Sequence, residues 1–392
     1  MRPDFKKLHT FSFYAMAEFT PDHSDRHFKY LDSARGIAAL MVFASHFIIR
    51  NFGDNRTTRA WLILFNGNDA VSFFFVLSGF VLSYKYIVLS KPLDIKKFYV
   101  SRIFRLFPAY FLVIVWSILF AGRHFLNIYA IKDFFIYNKY GFWEEALLLR
   151  FHNTFYYPGW TLSVEMLGSF LIPFYVALAI YNKKLVPYLI VVLLIIGNNF
   201  FFSYIFLFGI VASCNFSEIT GKSFRETKLF RYRYPLIIAS LILFSLRQFD
   251  AIFPFGQRYK YIAGYLGVDF FTYSAPACFV FLVIMLCNKK LQHFLENRVL
   301  VYLGKISYSI YLVHVVVIDT IYLFVERYLA GPHYSIIFFM VTVCCILAII
   351  AVASLLHYLV ELPFIRLGKR IVNTMKPSLV IKRENNTAPA PD

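Results

Sequence analysis

The chain has 392 residues, of which 59% are hydrophobic, 20% aromatic and 16% charged, and its mean hydropathy is +0.61. An ordinary soluble domain carries about 25% charged residues, so this composition excludes a soluble protein. The net charge of +18 indicates topology signals, anionic lipid or an anionic ligand rather than nucleic acid, because the chain is so apolar. The composition predicts an all-α, polytopic integral membrane protein.

Ten apolar stretches are predicted to span the membrane, since a spanning helix needs about 17–25 residues. They cover approximately residues 34–50, 68–89, 106–122, 160–181, 185–198, 199–215, 234–249, 264–287, 304–325 and 335–360. The fifth and sixth adjoin, and residues 197–199 (Gly-Asn-Asn) are expected to form a tight turn between them.

Basic residues are divided unevenly between the connections on the two sides of the membrane. Of the 40 Lys and Arg residues, 29 fall in or beside the N-terminal segment, the alternate connections and the tail. Because basic residues mark the cytoplasmic side, both termini are predicted to be cytoplasmic. We expect a cytoplasmic segment at 1–30, a transmembrane domain at 31–365 and a disordered cytoplasmic tail at 366–392. No metal site is predicted, since the five cysteines show no metal-ligand spacing.

The first predicted span carries three ionisable side chains. Arg35 and His46 project within about 20° of each other on a helix, and Asp32 joins the same stripe. His46 lies about 16 Å farther along the axis than Arg35, close to mid-bilayer. Ionisable groups are costly there, so each is a functional candidate. The alternative is that Asp32 and Arg35 form a capping pair and that His46 hydrogen-bonds a neighbouring helix.

Small and basic residues mark the second span and the approach to the third. Ser78 and Gly79 interrupt a Phe-rich helix and permit the close approach of a neighbour, which packing alone could explain. Arg102 and Arg105, in the predicted inside loop before the third span, share a helix face and make a fork suited to phosphate. The alternative is a basic anchor at the membrane surface.

Two acidic residues lie in or next to apolar spans. Glu165 is about 7 Å below Trp160 in an otherwise apolar helix, so it should face a cavity or pair with His46 or an arginine. A structural ion pair is the alternative. Glu361, at the end of the tenth span, is expected to pair with a basic residue, and His357 is isolated in the pattern.

The ninth predicted span carries Ser307, Tyr311 and His314 on one helix face, with Tyr308 beside them. The tyrosine hydroxyls could merely satisfy backbone groups. Together with the other candidates, they supply imidazole, carboxylate and paired guanidinium groups that are expected to line one interior cavity. That inventory is typical of acid/base group transfer on an anionic substrate that enters from the cytoplasm.

Five motifs, in this order, resemble the membrane acyltransferase-3 family, whose members O-acetylate O-antigen, exopolysaccharide and Nod factors. The resemblance covers about residues 31–363. Two positions depart from the usual pattern, since Ser72 replaces an aspartate before the Phe pair and Met166 replaces a second glutamate. The motifs are Leu31-Asp32…Arg35-Gly36 with His46, Phe74–Phe80, Arg102…Arg105-Leu106…Pro108, Trp160–Glu165 and Leu303–His314.

The resemblance implies a ten-helix O-acyltransferase in a bacterial inner membrane. The donor is then an acyl-CoA on the cytoplasmic side, with acetyl-CoA the first expectation, and the acceptor is a hydroxyl of a glycan or lipid-linked saccharide. Membrane lipid is an expected partner and nucleic acid is not. The appended periplasmic domain of some relatives is not seen in this sequence, so we expect the chain to complete the transfer or to pass the acyl group to a partner.

The resemblance also implies roles for individual residues. His46 corresponds to the essential histidine of the first helix and Arg35 to its companion, with Asp32 or Glu165 expected to orient His46. Arg102 and Arg105 correspond to the paired arginines that hold the phosphates of coenzyme A. The remaining residues expected at the acyl-CoA site are Ser78, Tyr308, Tyr311 and His314.

A proton-coupled transporter is the competing interpretation, because ten helices with buried His, Glu, Asp and Arg also describe that class. The sequence shows no paired halves and no matched broken helices, and the arginine fork suits a phosphate-bearing donor better. A transporter would bind its cargo without coenzyme A, which separates the two interpretations.

Overall fold

The computed structural model describes residues 28–121, 141–150, 156–196, 202–221, 231–248, 270–325 and 334–381. The predicted turn at 197–199, residues 1–27 and the tail residues 382–392 lie outside these ranges. The described residues are almost all helical, because a chain in lipid must satisfy its backbone N–H and C=O groups internally.

The labelled helices of the first part of the chain run from α1 to α8, and a further helical turn covers 141–146. They are α1 Lys29–Phe52, α2 Arg56–Trp61, α3 Gly67–Ile87, α4 Ile95–Ala121, α5 Gly159–Tyr181, α6 Leu185–Ile196, α7 Ser203–Cys214 and α8 Phe216–Thr220.

The second part of the chain contains helices α9 to α15 and a π-helical turn, His357–Glu361, between α14 and α15. Two short strands, β1 Leu93–Asp94 and β2 Val380–Ile381, pair in antiparallel register. The helices are α9 Arg233–Phe244, α10 Phe270–Cys287, α11 Lys289–Leu295, α12 Arg298–Lys305, α13 Ser307–Val325, α14 Tyr334–Leu356 and α15 Leu362–Thr374.

Six helices within the described ranges are long and apolar enough to cross a membrane, namely α1, α3, α4, α5, α13 and the run from α14 to α15. The pair α10 and α11, bent by 94°, would make a seventh. Helices α6, α7 and α9 have only 12 residues each, or about 18 Å, against a hydrocarbon core of about 30 Å. The multi-pass membrane class is confirmed, while the count of ten spans and the cytoplasmic termini stay predictions.

Two boundaries differ from the sequence-based expectation. Helix α4 begins at Ile95, so Arg102 and Arg105, expected in a loop, lie inside a helix. The tail expected to be disordered from residue 366 is helical to Thr374, and β2 pairs with β1. The search for apolar runs missed both, because it stops at charged residues although an amphipathic helix continues through them.

Glycines allow close backbone contact between the helices that carry the candidate site. Helix α3 packs on α1, α5, α7 and α10. A Cβ atom at Gly79 would collide with the carbonyl oxygen of Phe206 in α7, and one at Gly304 would collide with the backbone of Asp32 in α1. Such contacts between small residues are a common way to associate helices in lipid. The prediction that Ser78 and Gly79 permit close approach is confirmed.

Candidate active site

An inner cavity of about 120 Å³ lies where α1, α3, α4, α5 and α13 meet. One wall is aromatic and aliphatic, and the other carries charged and hydroxyl groups. The structure thus brings together most of the predicted site residues from five separate segments of the chain. The polar lining residues are Arg35, Ser78, Arg102, Arg105, Thr161, Glu165, Ser307, Tyr308 and Tyr311.

The two arginines of the predicted pair, Arg102 and Arg105, have different surroundings in the structure. Arg102, only 8% exposed, donates from Nη2 to Oε1 of Glu165 at 2.8 Å and from Nε to Oγ of Ser169 at 3.1 Å. Glu165 and Ser169 are one helical turn apart on α5, so both reach the same guanidinium. A buried charge is stable only when paired in this way. Glu165 therefore bonds Arg102, one of the two kinds of partner that its position suggested.

The first-helix pair of Asp32 and Arg35 forms an ion pair, with Oδ1 and Nη1 3.7 Å apart. Asp32 is placed on the N-terminal turn of α1, where the helix dipole favours an acid. Both expected orienting acids are therefore engaged with arginines. We call these four residues, Asp32, Arg35, Arg102 and Glu165, the charge cluster.

An outer cavity of about 490 Å³ adjoins the inner one. Arg35, Arg105 and Tyr308 line both cavities, so these side chains mark the passage between them. Exposed Lys85 and Lys305 add positive charge to the outer cavity. The outer cavity is wide and carries four cationic side chains, and the inner cavity is narrow with one apolar wall, so together they fit a ligand with an anionic head and a thin arm.

His46 lies apart from both cavities, because it is not among the described residues that line either one. Its ring centre is 5.2 Å from that of His314 on α13 and 6.0 Å from that of Tyr157, just before α5. The expectation that one cavity holds the imidazole together with the arginines is therefore corrected. The helical period had placed Asp32, Arg35 and His46 in one stripe, but it does not show which helix covers each part of that stripe.

Tyr311 lies between the inner cavity and the histidines, and Tyr308 lines both cavities. Tyr311 Oη is 2.5 Å from Oγ1 of Thr161, and its ring centre is 5.5 Å from that of His314. Tyr308 Oη donates to the carbonyl oxygen of Leu106 at 2.7 Å. The tyrosine hydroxyls thus satisfy polar groups, the alternative considered for them, and they also line the cavity.

Glu361 was expected to pair with a basic residue, and sequence reasoning missed only that the partner is His357, in the same π-helical turn. His357 Nδ1 is 2.8 Å from Oε2 of Glu361, which also accepts a hydrogen bond from Ser309 at 3.0 Å. His357 was considered isolated, although its four-residue spacing to Glu361 was the signal that could have found the pair. Both residues line the outer cavity, and π-helical turns often occur at functional sites.

A second missed group caps α3. The side chain of Asn66 accepts from the backbone N–H of Asp69 at 3.2 Å and donates to the carbonyl oxygen of Phe244 at 2.6 Å, with both residues buried. Ser72 Oγ, one turn later, is 2.6 Å from Oγ of Ser274 on α10. These bonds join α3 to α9 and α10. Asn66 before an apolar run signals a helix start, but its burial is a tertiary property.

Comparison with known proteins adds the family to this geometry. No curated protein and no solved structure gives a significant match. The family model described as an acyltransferase domain matches residues 28–357, which is most of the chain and includes every residue of the charge cluster, both histidines and both tyrosines. The chain therefore belongs to the acyltransferase-3 family and is a membrane acyltransferase.

Proposed function

We propose that this protein is an O-acyltransferase of a bacterial inner membrane. It moves an acyl group, acetyl first among the candidates, from acyl-CoA on the cytoplasmic side to a hydroxyl of a glycan or lipid-linked saccharide. The observation that carries the proposal is the pair of connected cavities, basic and wide outside and narrow inside, which ends at Tyr311 beside the histidines.

The outer cavity is proposed to bind the phosphate-bearing end of the donor. Arg35 and Arg105 line both cavities, and Lys85 and Lys305 line the outer one. Guanidinium groups bind phosphate through paired, charge-assisted hydrogen bonds. Arg102 bonds both Glu165 and Ser169 and lines only the inner cavity. Arg35 and Arg105 line both cavities, so they make a better phosphate clamp than the Arg102 and Arg105 fork expected from the sequence.

The thin arm of the donor would then occupy the inner cavity and carry the thioester toward His46. Tyr311, bonded to Thr161, lies between this cavity and the histidines, so it must swing aside or be passed by the arm. The passage is short, because the rings of Tyr311, His314 and His46 follow one another at centre separations of 5.5 and 5.2 Å.

His46 is the proposed catalytic residue. As a general base, it takes the proton of the acceptor hydroxyl while the hydroxyl oxygen attacks the thioester carbonyl; the C–S bond breaks and the sulfur of coenzyme A leaves as thiolate, to be protonated. As a nucleophile, it would first attack the thioester, forming an acyl-imidazole as the C–S bond breaks and the thiolate of coenzyme A leaves. The acceptor hydroxyl would then attack the acyl group, breaking the C–N bond and losing its proton as the imidazole is released. Both routes use an unprotonated imidazole nitrogen.

The acceptor is proposed to approach from the other side. Tyr157, 65% exposed and 6.0 Å from His46 between ring centres, lies at the end of α5 predicted to face outward. Donor and acceptor would therefore meet near His46 without either crossing the membrane. Nothing in the family match supports the transporter alternative.

The test follows labelled acetyl from acetyl-CoA to the protein and to lipid-linked glycan, in membranes that contain the wild type or His46→Ala. We expect the variant to lose about 100- to 10,000-fold in transfer rate, the usual contribution of a general base. His293→Ala removes an exposed histidine of α11 and is the matched control.

The two routes and the proposal itself give different results. Acid-labile label on wild-type protein supports an acyl-imidazole, whereas label on glycan alone supports direct transfer. Transfer that persists in folded His46→Ala contradicts the assignment of His46, and wild type that transfers no acetyl or longer acyl group from coenzyme A contradicts the proposed donor.

A further inference from the structure

His314 is buried in α13 with one ring nitrogen engaged and the other open. Its side chain has no solvent exposure, and Nδ1 lies 2.5 Å from the carbonyl oxygen of Tyr311. A carbonyl oxygen only accepts hydrogen bonds, so Nδ1 carries a proton and Nε2 of the neutral ring is an acceptor. Within the described ranges Nε2 is buried without a hydrogen-bond partner.

The carbonyl oxygen of Tyr311, which accepts the hydrogen bond from His314, is itself held by further hydrogen bonds. Tyr156 Oη donates to the carbonyl oxygens of Tyr311 at 3.1 Å and of Leu312 at 2.7 Å, and the backbone N–H of Tyr156 donates to buried Glu145 at 2.7 Å. The orientation of the His314 ring is therefore set by three successive contacts and not by His314 alone. A buried acceptor held so firmly without a partner costs free energy, which a functional role would explain.

The nearest described ring with a hydrogen to donate is that of His46. The ring centres are 5.2 Å apart and the rings are tilted by 47°, so no hydrogen bond joins them as they stand. A rotation of the His46 ring that turns one of its nitrogens toward Nε2 of His314 would bring the two atoms to about 3 Å, a hydrogen-bonding distance. The carboxylates that commonly orient a catalytic histidine are engaged elsewhere, since Glu165 bonds Arg102 and Asp32 bonds Arg35. His314 occupies the place that an acid holds in other sites.

We infer that His314 is a positioning residue whose open Nε2 accepts a hydrogen bond from His46 and so leaves the other nitrogen of His46 unprotonated toward the substrates. We call these two residues the imidazole pair. When His46 takes the hydroxyl proton, both of its nitrogens carry hydrogen, and the bond to Nε2 of His314 stabilises the resulting imidazolium. The inference rests on the proposed function for its chemistry, but the hydrogen bond itself does not.

The experiment compares His314→Leu, which removes the acceptor, with His314→Gln, which restores an acceptor oxygen. The full-length protein in nanodiscs is assayed for release of coenzyme A from acetyl-CoA. We expect His314→Leu to lower kcat about 10- to 100-fold with KM for acetyl-CoA unchanged, the range seen when an orienting partner is lost. His314→Gln should recover most of kcat.

A second measurement does not depend on activity. Diethyl pyrocarbonate carbethoxylates unprotonated imidazole, and mass spectrometry gives the rate at His46 separately from the rate at exposed His293. We expect His46 to react several-fold more slowly in His314→Leu than in wild type or His314→Gln, with His293 unchanged. If His314→Leu does not fold, His314→Met is the second variant without an equivalent acceptor.

Each outcome decides the inference. Equal loss in folded His314→Leu and His314→Gln would show a structural role, and an unchanged His46 reaction rate in the Leu variant would show that no hydrogen bond joins the rings. If diethyl pyrocarbonate modifies His46 of the wild type at the expected rate but the wild type releases no coenzyme A, the proposed function is overturned. The imidazole pair is then judged on the modification rates alone.

Discussion

The charge cluster and the imidazole pair show two ways in which this protein keeps polar groups inside a membrane domain. In the charge cluster every acid meets a guanidinium, at 2.8 Å for Glu165 and 3.7 Å for Asp32. In the imidazole pair, Nε2 of His314 is buried without a partner in the described part of the chain.

The difference has a physical reason. A buried charge must be paired, and once paired it is held in place and is poorly suited to exchange protons. A neutral imidazole costs less to bury, so the protein can leave one nitrogen open for hydrogen bonding and proton transfer. Under the proposed function, the charge cluster therefore serves structure and binding, and the imidazole pair serves the chemistry.

The largest loss of stability is expected from a substitution that breaks the charge cluster. Glu165→Ala leaves Arg102, 8% exposed, without its carboxylate, and we expect the free energy of unfolding to fall by about 3–5 kcal/mol. Thermal unfolding in detergent, followed by the loss of the monodisperse species, measures the effect. Glu218→Ala, which breaks the exposed pair with Lys183, is the control and should cost at most about 1 kcal/mol. Equal losses in the two variants would mean that Arg102 and Glu165 are not a buried pair.

The next effect separates binding from chemistry. Arg105→Ala removes a guanidinium shared by both cavities, so we expect KM for acetyl-CoA to rise about 10- to 100-fold, with kcat changed less than about twofold. Initial rates at varied acetyl-CoA measure both constants, and Arg298→Ala, on the exposed surface of α12, is the control. A fall in kcat at constant KM would place Arg105 with the imidazole pair instead.

A smaller effect tests how the charge cluster is supported. A Cβ at Gly304 would collide with the backbone of Asp32, so Gly304→Ala should force α12 away from α1 and cost about 1–3 kcal/mol. Val299→Ala, at an exposed position of α12, should cost less than about 0.5 kcal/mol. Because His46 lies about four helical turns beyond Asp32 on α1, its diethyl pyrocarbonate reactivity should stay unchanged. A changed rate would show that the two regions are mechanically coupled.

The smallest effect concerns the C-terminal segment, which belongs to neither the charge cluster nor the imidazole pair. Desolvation opposes ionisation of Asp94, but hydrogen bonds from Ser378 and from the backbone N–H of Lys97 outweigh it and hold the pKa of Asp94 below its ordinary value of 3.8. A carboxyl with a lowered pKa in the folded state stabilises that state above its unfolded-state pKa, and this stabilisation is lost as pH falls through the folded-state pKa.

Pairing of β2 with β1 should therefore weaken as pH falls below about 4, and Asp94→Asn should weaken it at pH 7 and remove the pH dependence. Hydrogen exchange at Val380 and Ile381, corrected for the intrinsic effect of pH, measures the pairing. Asp54→Asn, which breaks a loop pair with Arg59, is the control and should leave this exchange unchanged. Exchange that is independent of pH in wild type would contradict the role of Asp94.

Local patterns in the sequence predicted much of the candidate site. The ionisable residues inside apolar stretches were recognisable because lipid makes each one costly. Eight of the ten predicted site residues, all except His46 and His314, line one of the two cavities. Which residue each of these side chains contacts was not predictable from the sequence. Glu165 had both His46 and an arginine as open alternatives, and Arg102 became its partner only through the packing of α4 on α5.

By itself, the sequence determined the membrane class, the positions of the long helices, the family and the residues able to do chemistry, because composition, apolar length and helical period are local properties. Only the tertiary structure decided that His314 stands beside His46, that the acids hold arginines, and that β2 returns to β1. A helical period shows which side chains share a face, but the neighbour that covers the face depends on contacts between segments hundreds of residues apart, such as His46 and His314.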